Sequence, residues 1–336
     1  MARKKIRVAI NGFGRIGRAA FKIMLTSNRY EVVAINDLAP VENLAYLLKY
    51  DTVYGIYPKK VSHSGNNIVV NGKKYNITAV PDPKKLPWKK LKVDVVLECT
   101  GRFVKDGAAG AHITAGAKRV IISAPAKGGG NVDTFLLGVN EDNYKNQKVV
   151  SNASCTTNCV APVAQVLVSK FGVSKAMLTT IHSYTGGQGL VDSPNKSDMR
   201  RGRAAAENII PTSTGAAIAT TQVIPELEGL FDGLAIRVPT PVVSLSDFTF
   251  LLKKDVTVKQ VNNALITASK TKRYAGILGV TDEPVVSSDF IGDPRSSIVD
   301  LPLTKVVGGN LVKIIAWYDN EWGYSVRLVE MIDQIF

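Results

Sequence analysis

The chain has 336 residues, long enough for two domains, and its 45% hydrophobic and 21% charged content excludes a disordered chain. No run of eighteen apolar residues is present, so no membrane span is expected, and three cysteines (Cys99, Cys155, Cys159) are too few for a disulfide framework and fit a reducing cytoplasm. The net charge of +14 would suit nucleic acid, but no basic stripe is interleaved with aromatics, so a solvated lysine-rich surface is the reading and nucleic acid is not expected as a specific partner.

The start MARKKIRVAING passes straight into a strand pattern and lacks the apolar stretch and cleavage site of a secretory leader. IRVAI is a continuous apolar run, as expected of a parallel strand buried on both faces. NGFGRIGR follows, then AAFKIMLTSN with apolar residues at helical spacing. EVVAIND reads as a second strand and VENLAYLLKYD as a second helix. In NNIVVNGKKYNITAV, Asn71-Gly72 divides two alternating segments, a hairpin signal. VDVVLECTG and RVIISAP read as buried strands separated by the helical GAAGAHITAGA, and KVVSNAS closes this half. The alternation predicts an α/β, Rossmann-type domain over 1–154 with a doubly wound, mostly parallel sheet.

After Cys155 the texture changes. A helix is expected from about Thr156 to Phe171, then the strand KAMLTTIHSYT, then a loop from Ser183 to about Glu207. Loops of that length inside compact domains are usually functional. A helix, the strands GLAIRVP and VSLSDFTFLLK, a helix around VKQVNNALITAS and further strands predict an α+β catalytic domain over 155–320 with a mainly antiparallel sheet. GYSVRLVEMIDQIF reads as a closing amphipathic helix.

Gly12-Phe13-Gly14-Arg15-Ile16-Gly17 follows a strand and opens a helix, with Asp37 about 20 residues beyond it at the end of the second strand. This is the dinucleotide fingerprint in its structural setting. Gly12 permits the tight turn, Gly14 lets the backbone approach a pyrophosphate, and Gly17 allows close helix packing. Asp37 suits the ribose hydroxyls and repels a 2′-phosphate, which favours NAD over NADP. The plain alternative is a glycine-rich turn with an unrelated surface aspartate.

In SNASCTTNC, Cys155 falls where a strand stops and a helix starts, a setting that favours a thiolate. Of three histidines, His63 lies in a turn-like segment and His112 on a helix, while His182 ends an apolar strand and opens the long loop. His182 is therefore the candidate base or imidazolium partner. The alternative is a buried structural cysteine, the reading adopted for Cys99 and Cys159. Spacing alone cannot show that Cys155 and His182 touch. Arg200, Arg201, Arg203 and Arg237, with Thr185, Thr212, Ser213 and Thr214 near them in sequence, suit phosphate oxygens beside a helix start at Gly215. Surface arginines with an ordinary helix cap are the competing reading.

INGFGRIGR, INDL, SNASCTTNC, IIPTSTGAA, IRVPTP and WYDNEWGYS occur together and in order. The chain resembles, from end to end, the phosphorylating glyceraldehyde-3-phosphate dehydrogenases. That resemblance implies that Cys155 attacks the substrate aldehyde, that His182 pairs with it, and that a thioester on Cys155 is cleaved by inorganic phosphate. It implies that Thr185 and Arg237 hold the C3 phosphate of glyceraldehyde 3-phosphate. Ser154, Thr156, Thr214 and Gly215 match the inorganic-phosphate site, and Arg201 of the long loop joins the phosphate-binding set. Arg15, Ile16, Asp37, Thr100 and Ser123 match NAD contacts, while Asn320 and Tyr324 match those that fix the nicotinamide. A closing helix over 321–336 that completes the NAD domain, a homotetramer and a cytoplasmic location are implied too, and no metal. Two departures stand out: Pro81 replaces a common arginine near the adenine, and Ser193 replaces a larger apolar residue before Pro194. Asp37 and Pro194 point to NAD, while Ser193 leaves room for NADP. The related erythrose-4-phosphate dehydrogenases share the cysteine signature and are the alternative.

Overall fold

A computed structural model describes residues 4–130, 132–196 and 198–336; Met1, Ala2 and Arg3 of the basic start lie outside them. By internal contacts the chain divides into two units, one formed by Met1–Phe135, Glu141–Ala153 and Ser325–Phe336, the other by Leu136–Asn140 and Ser154–Tyr324.

The first unit is built on a nine-stranded sheet. Its order is Asp133–Thr134, Val149–Ser151, Arg119–Ile122, Val95–Glu98, Ile6–Asn11, Tyr30–Asn36, Lys73–Thr78, Asn67–Val70, Val61–Ser64. The first seven pair in parallel and the last two join antiparallel. The chain starts mid-sheet at Ile6–Asn11, winds one way through Tyr30–Asn36, then returns to Val95–Glu98 on the other side. Ligands bind at such switch points, beyond the carboxyl ends of the strands. Val95–Glu98 is buried throughout, which explains its unbroken apolar reading. Asn71 and Gly72 sit at φ 47° and 81°, the left-handed pair that a two-residue hairpin turn requires.

Two local expectations need correcting. The edge strand Asp133–Thr134 was not foreseen, because two residues carry no alternation to read. GAAGAHITAGA is α-helical only over Ala111–Thr114, after a 3-10 turn at Ala108–Gly110. Glycines 107, 110 and 116 punctuate it.

The second unit holds an eight-stranded sheet in the order Ile210–Ser213, Phe231–Val238, Val173–Ser183, Ser244–Leu252, Leu311–Tyr318, Ser297–Asp300, Leu278–Thr281, with Lys305–Val307 also paired to Leu311–Tyr318. Only Val173–Ser183 with Phe231–Val238 and Leu278–Thr281 with Ser297–Asp300 run parallel; the other pairs are antiparallel. Ser244–Leu252 alternates buried and half-buried residues along its length. Helices Cys155–Phe171, Ala216–Val223 and Val258–Ser269 accompany the sheet. Between Ser183 and Glu207 the only helical piece among the described residues is the 3-10 turn Met199–Gly202. No helix of the described residues is long and apolar enough to cross a membrane.

Candidate active site

The helix Cys155–Phe171 starts where its sequence says it should. Ser154 adopts an extended backbone, φ −114° and ψ 166°, and its Oγ accepts a hydrogen bond from Thr157 N at 3.1 Å. Cys155 is thus the first helical residue, beside backbone N–H groups that no turn of helix satisfies. Its Sγ lies 3.5 Å from His182 Nε2, contributed by the penultimate residue of the strand Val173–Ser183.

Arg237, on the neighbouring parallel strand and in register with His182, reaches the far side of the imidazole. Arg237 Nη1 donates to Ser183 O at 2.9 Å and lies 2.6 Å from His182 Nδ1, which is itself 2.7 Å from Ser183 O. Contact with the carbonyl needs a proton on Nδ1, whereas contact with the guanidinium needs a lone pair there. The two contacts define alternative tautomers, and the choice decides whether Nε2 offers the sulfur a lone pair or a proton. Burial first, then the Arg237 charge, pushes His182 down to about 3. Burial pushes the Cys155 thiol up, against the opposing pull of Arg237 and Thr156. Both shifts favour the neutral forms of the pair.

Sequence reasoning did not single out Tyr318. Its hydroxyl sits 2.9 Å from both Thr156 Oγ1 and Thr180 Oγ1, tying the start of the helix to the strand that carries His182. Its ring meets the imidazole edge-on, 6.0 Å between centroids. Tyr318 precedes Asp319-Asn320 in WYDNEWGYS, so its place in that motif was the available signal. Ser244 was missed too. Its Oγ accepts from Ser183 N at 3.1 Å and donates to Asn320 Oδ1 at 3.0 Å. The residue before it, Val243, is buried at φ 66°, and its carbonyl accepts from Ser183 Oγ at 2.7 Å. A β-branched residue in that region costs about 1–3 kcal/mol, a strain the surrounding structure must sustain.

Other predicted residues make local contacts. Thr185 N donates to Gln188 Oε1, and Thr214 Oγ1 accepts from Ala216 N beside Gly215. Arg201 donates to Thr212 Oγ1 and Ser213 O and bears electrostatically on His182 and Arg237. Tyr324 is buried. Burial pushes Cys99 and Cys159 up to about 12, so neither ionises near neutrality.

Of the predicted dinucleotide residues, Asn320 and Tyr324 belong to the second unit, and in the first Gly12, Gly14, Asp37 and Thr100 line a cavity of about 280 Å³. Gly12 has φ +92°, and a Cβ there would sit 2.8 Å from Cys99 C and Thr100 N. Asp37 accepts from Phe13 N at 2.7 Å and Ala39 N at 2.9 Å. Arg15 pairs with Asp51 at 2.8 Å, Ile16 is half-buried in the first helical turn, and Ser123 N donates to Glu98 O at 3.0 Å. Residues 6–106 match the sequence model of the "Glyceraldehyde 3-phosphate dehydrogenase, NAD binding domain", and residues 154–320 match that of the "Glyceraldehyde 3-phosphate dehydrogenase, C-terminal domain".

The chain belongs to the glyceraldehyde-3-phosphate dehydrogenase family.

Family members so named are similar over nearly their whole lengths. The protein from Priestia megaterium is 54% identical over 333 residues, 98% of each chain. Those from Zymomonas mobilis and Geobacillus stearothermophilus are each 52% identical, covering 98% and 97% of both chains. The residues present fit the family's NAD. A Cβ on Gly14 would meet nothing within 4 Å, so the backbone there faces the open space a pyrophosphate needs.

Proposed function

We propose that the protein oxidises D-glyceraldehyde 3-phosphate to 1,3-bisphosphoglycerate with NAD and inorganic phosphate, through a thioester on Cys155. The observation that carries this is the 3.5 Å approach of Cys155 Sγ to His182 Nε2 at a helix start, with Arg237 behind the imidazole. NAD, held by Gly12, Gly14, Asp37 and Thr100, supplies the hydride acceptor, and Asn320 and Tyr324 serve its nicotinamide end. Cys155 Sγ bonds to the aldehyde carbon while the thiol proton passes to Nε2, which requires the tautomer with Nδ1–H on Ser183 O. His182 returns that proton to the oxyanion, which becomes a hydroxyl, and takes the hydroxyl proton back as the carbon loses its hydride, leaving the acyl group on sulfur. Phosphate held by Ser154, Thr156, Arg201, Thr214 and Gly215 attacks that thioester, and the departing Cys155 sulfur recovers the proton from His182.

Arg237 keeps a buried Nε–H with no hydrogen-bond partner, a donor suited to a substrate phosphate oxygen alongside Thr185. We also place the protein in the cytoplasm as a homotetramer. Support for assembly comes from loop residues Leu190, Val191 and Met199, which are 82%, 69% and 88% exposed. Sedimentation should give the mass of four copies.

The test is NADH formation from purified protein with each aldehyde, with and without phosphate or arsenate. Sustained turnover on glyceraldehyde 3-phosphate is expected only with one of the anions. Equal turnover without either would remove the acyl-phosphate step, and a clear preference for erythrose 4-phosphate would transfer the chain to the alternative activity. Cys155→Ser should lose turnover while NAD binding persists.

A further inference from the structure

Four adjacent parallel strands of the first unit each end on a polar residue: Glu98, Asn11, Asn36 and Thr78. The register sets them side by side, Glu98 opposite Asn11, Asn11 opposite Asn36, and Asn36 opposite Thr78. Glu98 is 1% exposed, a carboxyl group that needs full hydrogen bonding to be tolerated.

The donors all run toward it. Thr78 Oγ1 donates to Asn36 Oδ1 at 2.9 Å, Asn36 Nδ2 to Asn11 Oδ1 at 2.8 Å, and Asn11 Nδ2 to Glu98 Oε2 at 2.6 Å. From the other side comes His112, fully buried, with Nε2 2.9 Å from the same oxygen. Trp88 Nε1, which can only donate, gives its hydrogen to His112 Nδ1 at 2.9 Å. Nδ1 therefore holds a lone pair, and Nε2 carries the proton it donates to Glu98. Glu98 Oε1 takes the other two donors, Thr100 N at 2.8 Å and Thr100 Oγ1. Aligned hydrogen bonds of this kind polarise one another, so one acceptor at the end fixes the direction of the row.

Asn11 and Asn36 of the row, together with Thr100, line the cavity that Gly12, Gly14 and Asp37 also line. Because both Thr100 donors are engaged by Glu98, the hydroxyl oxygen is left to accept, as it does from Arg102 N at 3.1 Å. A phosphate oxygen would be refused there, while a ribose hydroxyl or adenine amine would be taken.

We propose that Glu98 is a positioning residue for NAD: it sets the hydrogen-bond direction of the row, so that Thr100 and Asn11 meet the adenosine half of the cofactor as acceptors and donors of fixed sense. The inference rests on the NAD reading of this cavity and adds a residue that does not itself touch the cofactor.

Glu98→Gln keeps the shape but places an N–H₂ among groups that all donate, whichever way the amide turns. Calorimetric titration of full-length protein is expected to show Kd for NAD raised at least tenfold. ADP-ribose, which lacks the nicotinamide, should weaken by the same factor, and the aldehyde KM at saturating NAD should move less than twofold. If Glu98→Gln does not fold, the Thr100 pair decides: Thr100→Val should weaken ADP-ribose and Thr100→Ser should restore it. Folded Glu98→Gln that binds NAD within twofold of the wild type overturns the proposal, as does Thr100→Ser binding as weakly as Thr100→Val. Wild type that binds no NAD at all would sink the cofactor reading itself.

Discussion

His182 is neutral for reasons that lie in its neighbours, and that neutrality has a measurable cost in acid. Burial and Arg237 bring its folded-state value to about 3, against an ordinary 6.5 that the unfolded chain retains. Between those values the unfolded chain carries a proton that the folded chain lacks, so falling pH favours unfolding. Above 6.5 the contribution is fully present, and it is lost as pH descends toward 3. Wild type should therefore lose more stability than His182→Asn between about pH 7 and about pH 4, read as shifts in denaturant midpoint. A parallel loss in both proteins would mean that His182 is protonated when folded. At this scale the sequence put the cysteine and the histidine forward as reactive types at a helix start and a strand end. It could not supply their 3.5 Å approach, because the two belong to a helix start and a strand end that meet only in the folded sheet. Nor could residue type and spacing, without the family resemblance, separate Arg237 from the other arginines. What distinguishes it is strand register with His182.

The glycine-rich turn and the helix behind it offer a sharper test of element packing. At Gly17 a Cβ would lie 2.1 Å from Gly12 O, backbone that cannot swing aside, whereas at Gly14 it would meet nothing within 4 Å. Gly17→Ala should lower the melting temperature and weaken NAD binding together. Gly14→Ala should melt within about 2 °C of the wild type, since φ −72° suits alanine, yet bind NAD at least tenfold more weakly. Equal NAD affinity in Gly14→Ala would mean that no ligand approaches that backbone. The Ser154 cap gives a second handle. Ser154→Ala removes one acceptor at the helix start, which should cost about 1 kcal/mol in unfolding free energy. Buried parallel strands and capped helices were legible because apolar runs and cap residues are local signals. Tyr318 was not, because its hydroxyl matters through Thr156 and Thr180, which are remote in the chain.

At the scale of the whole chain, the first unit is discontinuous. Its final piece, Ser325–Phe336, lies beyond the entire second unit in sequence. Tyr30 Oη donates to Asp333 at 2.7 Å, Arg29 pairs with the same carboxylate at 2.8 Å, and Leu328, Val329, Met331 and Ile332 are buried. Burial raises the Tyr30 hydroxyl well above its ordinary range, so this donor stays protonated. A chain ending at Tyr324 should lose NAD binding and cooperative melting of the first unit; retention of both would show that the closing helix is dispensable. The helix itself could be read from its periodicity, but its membership in the first unit depends on contacts far apart in sequence.

That arrangement bears on how the protein is made. Synthesis at about 5–20 residues per second puts roughly 10–30 s between the earlier pieces of the first unit and its last helix, while the roughly 170 residues between them emerge. Throughout that interval the first unit lacks Leu328, Met331 and Ile332, which are buried in the folded protein. Emergence of the closing helix, rather than of the glycine-rich turn, starts the clock for a first unit able to hold its dinucleotide.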